Sequence, residues 1–172
     1  MEFNGTQTIA APRHAVWEAL NDPAVLQACV PGCESFGARS EDEFEAVVQA
    51  AVGPVKARFK GSLTLSERRP DEGYRIAGKG EGGIAGFGKM QAVVDLADAP
   101  EGGTVLTYAA TAEVGGKLAQ VGSRLVASVA NRMADEFFKR FGEQLAPPAE
   151  AVADEAVEEG AGAAPKKWWQ RG

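Results

Sequence analysis

The chain has 172 residues, is 45% hydrophobic but only 8% aromatic, and carries a formal net charge of −6. That length admits one ordinary domain and an appendage, and the acidic balance counts against nucleic-acid binding, which needs a basic surface to neutralise phosphates. The opening MEFNGTQTIAAP has neither a basic n-region nor an apolar h-region, and no run approaches the roughly 18 apolar residues of a spanning helix, so a cytosolic protein with reduced thiols is expected.

Residues 1 to about 147 read as one domain. Met1 to Ile9 suits an opening strand. Pro12 then stands where a first helical turn tolerates it, ahead of the apolar set Val16, Trp17 and Leu20. Asp22-Pro23 repeats the device, with Asp as N-cap and Pro at the first helical position, for a second short helix to about Ala28. Pro31-Gly32 ends it with a turn signal. The segments Glu43–Ala51, Val55–Glu67, Tyr74–Gly82, Lys89–Ala97 and Thr104–Val114 alternate at period two, joined by turn residues such as Pro70-Asp71-Glu72-Gly73 and Pro100-Glu101-Gly102-Gly103. Short joins between consecutive strands mean an antiparallel meander with one wet face. From Lys117 to Leu145 the period becomes helical, through Leu118, Val121, Leu125, Val129, Met133, Phe137, Phe141 and Leu145. At about 1.5 Å per residue this predicts about 40 Å of helix. A curved antiparallel sheet wrapped around that helix buries both apolar faces.

Alternation also assigns the strand residues that face the helix. They include Ala46, Val48, Ala57, Phe59, Gly61, Leu63, Gly78, Gly80, Met90, Ala92, Tyr108, Ala110 and Ala112, and no inward position is charged. Of all twenty inward positions assigned this way nine are Gly or Ala, while interiors fill to a packing density of about 0.75. Either the helix packs closer where the side chains are small, or an uncharged pocket lies between helix and sheet. Such a pocket would suit an apolar ligand and would suit acid–base chemistry badly.

Other motifs are weak. Cys29 and Cys33, in CVPGC, are the only cysteines, and His14 is the only histidine; a zinc site wants about four ligands. Neither a metal site nor, in a reducing compartment, a disulfide is expected; the two cysteines read as small buried residues flanking a turn. GKGEGG fits G-x-G-x-x-G through Gly78, Gly80 and Gly83, but a strand follows where a dinucleotide site requires a helix. With Gly82, Gly86 and Gly88 the stretch reads as bulges or a pliable lip, in which Gly83 and Gly86 are candidate rim residues. No nucleophile–base pair is recognisable, so no catalytic residue is assigned.

Residues 148–165, rich in Ala, Glu and Gly, read as a disordered linker, and 166–172 as a terminal anchor. Lys166, Lys167, Trp168 and Trp169 combine cations for anionic lipid with interfacial indoles. At about 1 kcal/mol per basic residue the attachment would be weak and reversible. Docking to a protein partner is the competing use of the same tail.

Three segments, VLQACVPGCESF, GKGEGGIAGFG and GGKLAQVGSRLVASVANRMADEFFKRFGEQL, together resemble the carbon monoxide dehydrogenase G-subunit (CoxG) family of the START-like, helix-grip (SRPBCC) superfamily. The resemblance covers residues 1 to 145. It implies an α+β fold: a curved antiparallel sheet around a long C-terminal helix, two short helices after the first strand, and an apolar cavity between helix and sheet. It further implies that Pro31 and Gly32 shape a rim where the short helices close one end of the pocket. The family accompanies molybdenum-containing CO dehydrogenases and related hydroxylases, so an accessory protein peripherally attached to the cytoplasmic membrane is expected. With an apolar pocket and a weak anchor, the expected cargo is an isoprenoid quinone or lipid, with no resident cofactor. A ligand-free tether and a cyclase-type enzyme are the alternatives. Expected pocket-lining residues are Trp17, Leu26, Phe59, Leu63, Met90 and Tyr108 from the strands and short helices. The long helix would add Leu118, Val121, Leu125, Val129 and Met133.

Overall fold

The computed structural model describes residues 1–145. The expected linker and the Lys166, Lys167, Trp168 and Trp169 anchor lie outside the described residues.

The chain opens with β1 (Glu2–Ile9), followed by α1 (Arg13–Leu20) and α2 (Pro23–Cys29). Asp22 caps α2, its carboxylate accepting from the Ala24 N–H at 3.0 Å, with Pro23 at the first helical position. Six further strands follow: β2 (Cys33–Ala38), β3 (Glu43–Val52), β4 (Val55–Arg69), β5 (Gly73–Glu81), β6 (Phe87–Asp98) and β7 (Thr104–Gly115). A 3₁₀ turn at Gly83–Ala85 joins β5 to β6. The strands form one seven-stranded sheet in the order β1-β7-β6-β5-β4-β3-β2, antiparallel at every pairing. The first strand thus pairs with the last, and the rest is a meander.

Two features depart from the expected elements. Strand β2 carries no alternation to betray it: in CESFGA only Phe36 is a large apolar residue, and a register shift between Cys33 and Ser35 interrupts the pairing with β3. An edge strand needs only one side paired, so pattern is weakest there. The C-terminal helix is two helices, α3 (Lys117–Gln120) and α4 (Ser123–Leu145). Gly122 between them has φ +99°, in the left-handed region that stops a right-handed helix. The 23 residues of α4 span about 35 Å.

The core is built as two clusters. The larger contains α1, α2, the ends of β4–β7 nearest them and the second half of α4, centred on Leu106, Val16 and Phe141, which are essentially inaccessible. Its aromatics interlock: Trp17 meets Tyr74 edge-on at 5.6 Å, Tyr108 stacks on Phe138 at 5.6 Å, and Phe137 stacks on Phe141 at 5.6 Å. Burial pushes the Tyr74 hydroxyl far above its ordinary pKa, so Tyr74 stays neutral here. The smaller cluster gathers Val52, Leu118 and Val129 with Phe59, Val126 and Met133 around the start of α4.

One buried polar side chain ties the larger cluster together. The Thr104 hydroxyl donates to the Ala11 carbonyl at 2.6 Å, joining the start of β7 to the β1–α1 connection. Thr104→Val keeps the shape and leaves that carbonyl unpartnered, so a loss of about 1–3 kcal/mol is expected in urea unfolding.

Candidate functional site

Between the two clusters the sheet stands off from α4. Register explains why. On the concave face Gly61 of β4 pairs with Gly80 of β5, and Gly80 with Gly88 of β6, so three adjacent strands carry no side chain at one level. In the next row Leu63 faces Gly78, Gly78 faces Met90, and Met90 faces Ala112. The outcome is a cavity of about 440 Å³ floored by these rows and roofed by Val126, Val129, Ala130 and Met133 of α4. Its walls add Phe3 of β1, Phe36 of β2, Val48 and Val52 of β3, and Leu118 of α3. Ser62, Lys79, Lys89 and Glu113 also border it; they belong to the outward phase of the pleat and line a hollow on the opposite face of the sheet as well.

Two of the three glycines in the row are not forced by backbone crowding; the third, Gly61, is tight, since a Cβ there would lie 3.1 Å from the Lys79 carbonyl oxygen. A Cβ on Gly80 would meet the Lys60 carbonyl oxygen at 3.7 Å and the Gly61 Cα at 3.9 Å, and one on Gly88 would meet nothing closer than 3.7 Å. Both distances are ordinary contacts. At Gly80 and Gly88 side chains are absent without a local steric reason, and their absence deepens the hollow.

Among the residues expected to line a pocket, Phe59, Leu63, Met90, Leu118, Val129 and Met133 border this cavity. Trp17 and Tyr108 are placed in the larger cluster instead, against Tyr74 and Phe138. Leu26 is on α2, away from the cavity wall. Val121 packs in the smaller cluster without bordering the space, and Leu125 is 37% exposed. Val121 stands just before Gly122, whose left-handed φ ends α3, and Leu125 lies in the first turn of α4 just after it. Val126 and Ala130 share one face of α4 with Val129 and Met133 at i, i+3, i+4 and i+7, a stripe wider than the single line of residues counted in the sequence. Phe3 had its own signal, the inward alternation of β1 through Ile9, and the edge residue Phe36 had almost none.

Pro31 and Gly32 border a smaller hollow of about 250 Å³ that shares Val129 and Met133 with the main cavity, while Val30 borders the cavity itself. Gly32 is fixed in place. It has φ +75°, a Cβ there would run into the Gln49 carbonyl, and its own carbonyl accepts from the Gln49 N–H at 2.9 Å. Gly32→Ala should therefore cost more than the roughly 1–2 kcal/mol of left-handed strain alone, read as a lowered midpoint of thermal unfolding. Gly83 and Gly86 belong to the 3₁₀ turn; Gly86, at φ +112°, abuts the Gly115 backbone too closely for a side chain.

Both cysteines are free thiols. Cys29 is fully buried, and the Cys33 thiol donates to the Ser35 carbonyl at 3.2 Å. Burial pushes both thiols above their ordinary pKa, which keeps them protonated and poorly nucleophilic near neutral pH. Among the described residues no group of three or more His, Cys, Asp or Glu side chains could hold a metal ion. No helix among them is long and apolar enough to cross a membrane.

A curved antiparallel sheet gripping a long C-terminal helix over an apolar cavity defines a START-like protein. A START superfamily protein from Mycobacterium smegmatis shares this architecture at 13% identity and TM-score 0.64, over 84% of this chain and 96% of that one. A protein from Thermus thermophilus does so at 18% identity and TM-score 0.63, over 89% of this chain and all of that one (100%). The chain belongs to the carbon monoxide dehydrogenase G-subunit (CoxG) family, whose model matches residues 5–146. A conserved protein from Geobacillus kaustophilus is 32% identical, with TM-score 0.79, over 84% of this chain and 95% of that one. No significant match was found among curated proteins.

Proposed function

We propose that this chain is a non-catalytic accessory protein of a CO dehydrogenase-type molybdenum hydroxylase, carrying an isoprenoid quinone between the cytoplasmic membrane and the enzyme. The observation that carries the reading is the glycine row of the concave sheet. Side chains at Gly80 and Gly88 would meet no backbone clash, and burying more apolar surface would stabilise the fold by about 25 cal/mol per Å². A hollow kept against that gradient is most simply kept for a guest. The guest must be apolar, since the inward side chains are hydrocarbon apart from the Met1, Met90 and Met133 thioethers. Family membership supplies the partner class, and an enzyme that removes electrons from its substrate needs an acceptor. The described domain would do no bond chemistry itself. It would shield the isoprenoid chain from water and present the ring to the dehydrogenase, with the tail beyond residue 165 as a weak membrane tether.

The reading is tested by reconstitution. The purified dehydrogenase is mixed with quinone-loaded vesicles, and quinone reduction is followed with and without this protein. Faster reduction that saturates with added protein is the expected result. A rate independent of the protein would sink the carrier role, even if the two proteins bind one another.

A further inference from the structure

One end of the molecule differs chemically from the rest. Three joins meet there: the β3–β4 turn at Gly53-Pro54, the 3₁₀ turn, and the β7–α3–α4 path through Gly116 and Gly122. They pack together, since a Cβ on Gly53 would meet the Leu125 side chain at 2.7 Å and Gly86 abuts Gly115 and Gly116. The cavity reaches this end through Val52, Phe59 and Leu118. Here Ile84 is 85% exposed, Phe87 44% and Leu125 37%, and these are the exposed large hydrophobics of the described residues. A single exposed leucine needs no explanation. Three around one end of a cavity do: Ile84 and Phe87 at the β5–β6 join and Leu125 at the start of α4.

The charge distribution points the same way. At or next to this end lie Lys56, Lys60, Lys79, Lys89, Lys117 and Arg124, and among the described residues none of them is in an ion pair. The carboxylates nearby are fewer: Glu81 stands opposite Lys60, Glu113 opposite Lys89, Glu2 lies on the neighbouring β1, and Glu34 is engaged by Arg58 at 2.9 Å. Toward the opposite end most cations are in ion pairs, as in Arg13–Asp98 and Arg69–Asp95, both at 2.8 Å, and Arg75–Glu67 at 3.0 Å. A chain of net charge −6 thus gathers six cations outside ion pairs at this end, where its apolar side chains protrude; Arg132 and Lys139, farther along α4, are the others among the described residues.

We infer that this end of the folded domain docks directly on an anionic lipid surface. Ile84, Phe87 and Leu125 enter the interface, and Lys56, Lys117 and Arg124 meet the headgroup phosphates. Charge complementarity selects a lipid surface over a protein one. Protein interfaces deplete lysine and favour arginine, whereas hydrated, flexible lysines suit a fluid layer of phosphates. The apolar residues also protrude from two different joins, which suits a deformable medium better than a complementary solid surface. The inference rests on the carrier reading for its purpose: a cavity whose end touches the bilayer can exchange its cargo without wetting it.

The test uses the full chain and vesicles of phosphatidylcholine, alone or mixed with phosphatidylglycerol, with binding read by co-sedimentation. Three variants are compared: Ile84→Ser with Leu125→Ser; Lys56→Gln, Lys117→Gln and Arg124→Gln together; and Trp168→Ser with Trp169→Ser in the tail. Each cation removed should weaken binding to the anionic vesicles about fivefold, and the serine pair should weaken it about as much as one or two cations. Added salt should weaken wild-type binding further. Ile84→Trp should strengthen it, because indole favours the interface, and this gain keeps the test sharp if a loss variant folds poorly. Unchanged binding in all the body variants, with binding lost only in the tail variant, overturns the inference. So does intact vesicle binding combined with loss of dehydrogenase co-purification, which would make the surface a protein interface. Quinone extracted from the same preparations separates the two readings. Quinone present with insensitive vesicle binding sinks the docking alone, whereas quinone absent with sensitive binding sinks the cargo and leaves the docking.

Discussion

Gly80→Leu, made together with Gly88→Leu, is expected to abolish ligand binding while raising the thermal stability of the empty protein. Both positions lie on the cavity floor, and both accept a Cβ at ordinary contact distance. The added side chains extend into space that a ligand would fill, so affinity for an apolar guest should fall at least about tenfold, or about 1.4 kcal/mol. Stability should move the other way. Replacing glycine in a strand removes unfolded-state freedom, worth about 0.4–1 kcal/mol per site, and each buried leucine adds up to about 1.5–3 kcal/mol. A rise of several degrees in Tm follows. The sign decides between readings. If α4 simply packs close to a small-residue sheet with no usable hollow, the same substitutions overpack the core and cost about 1–3 kcal/mol instead.

The second large effect belongs to the other half of the same helix. Phe141 is 0% exposed, stacks on Phe137 and sits at the centre of the larger cluster. Phe141→Ala should cost about 3–5 kcal/mol, a large share of the roughly 5–15 kcal/mol that holds a domain folded. Urea denaturation would show it as a lower midpoint with an unchanged slope. Phe141 does not border the cavity, so the fraction still folded should bind the apolar ligand within about twofold of wild type, the usual behaviour of separated sites. The two sets of substitutions therefore separate holding the fold from holding a guest. The first half of α4 roofs a hollow, and the second half closes a dense core.

The sequence made the faces of the strands legible and left their alignment obscure. Alternation places Phe59, Leu63 and Met90 inward, and the structure agrees. It cannot say that Gly61, Gly80 and Gly88 stand side by side, because that depends on hairpin register across three strands. The same limit explains Trp17 and Tyr108. Inward direction was readable for Tyr108, but its level along the sheet, opposite Gly5 and beside Phe138, puts it in the filled half. Gly122 was visible in the sequence, yet a helical pattern tolerates an isolated glycine, and only its φ of +99° marks it as a break. Leu125, in the first turn of α4 just after it, is exposed and joins Ile84 at the cation-rich end. The edge strand β2, with one large apolar residue in six positions, carries too little pattern to be seen at all.

The most direct measurement is of what the cavity holds. Wild type and the Gly80→Leu, Gly88→Leu variant would be purified gently from the native host without detergent, extracted with solvent, and assayed by mass spectrometry for isoprenoid quinones. Near one quinone per wild-type protein, with only traces in the variant, is the expected result. No quinone above trace in wild type, or equal amounts in both proteins, would contradict the assignment of this cavity as a quinone-carrying site.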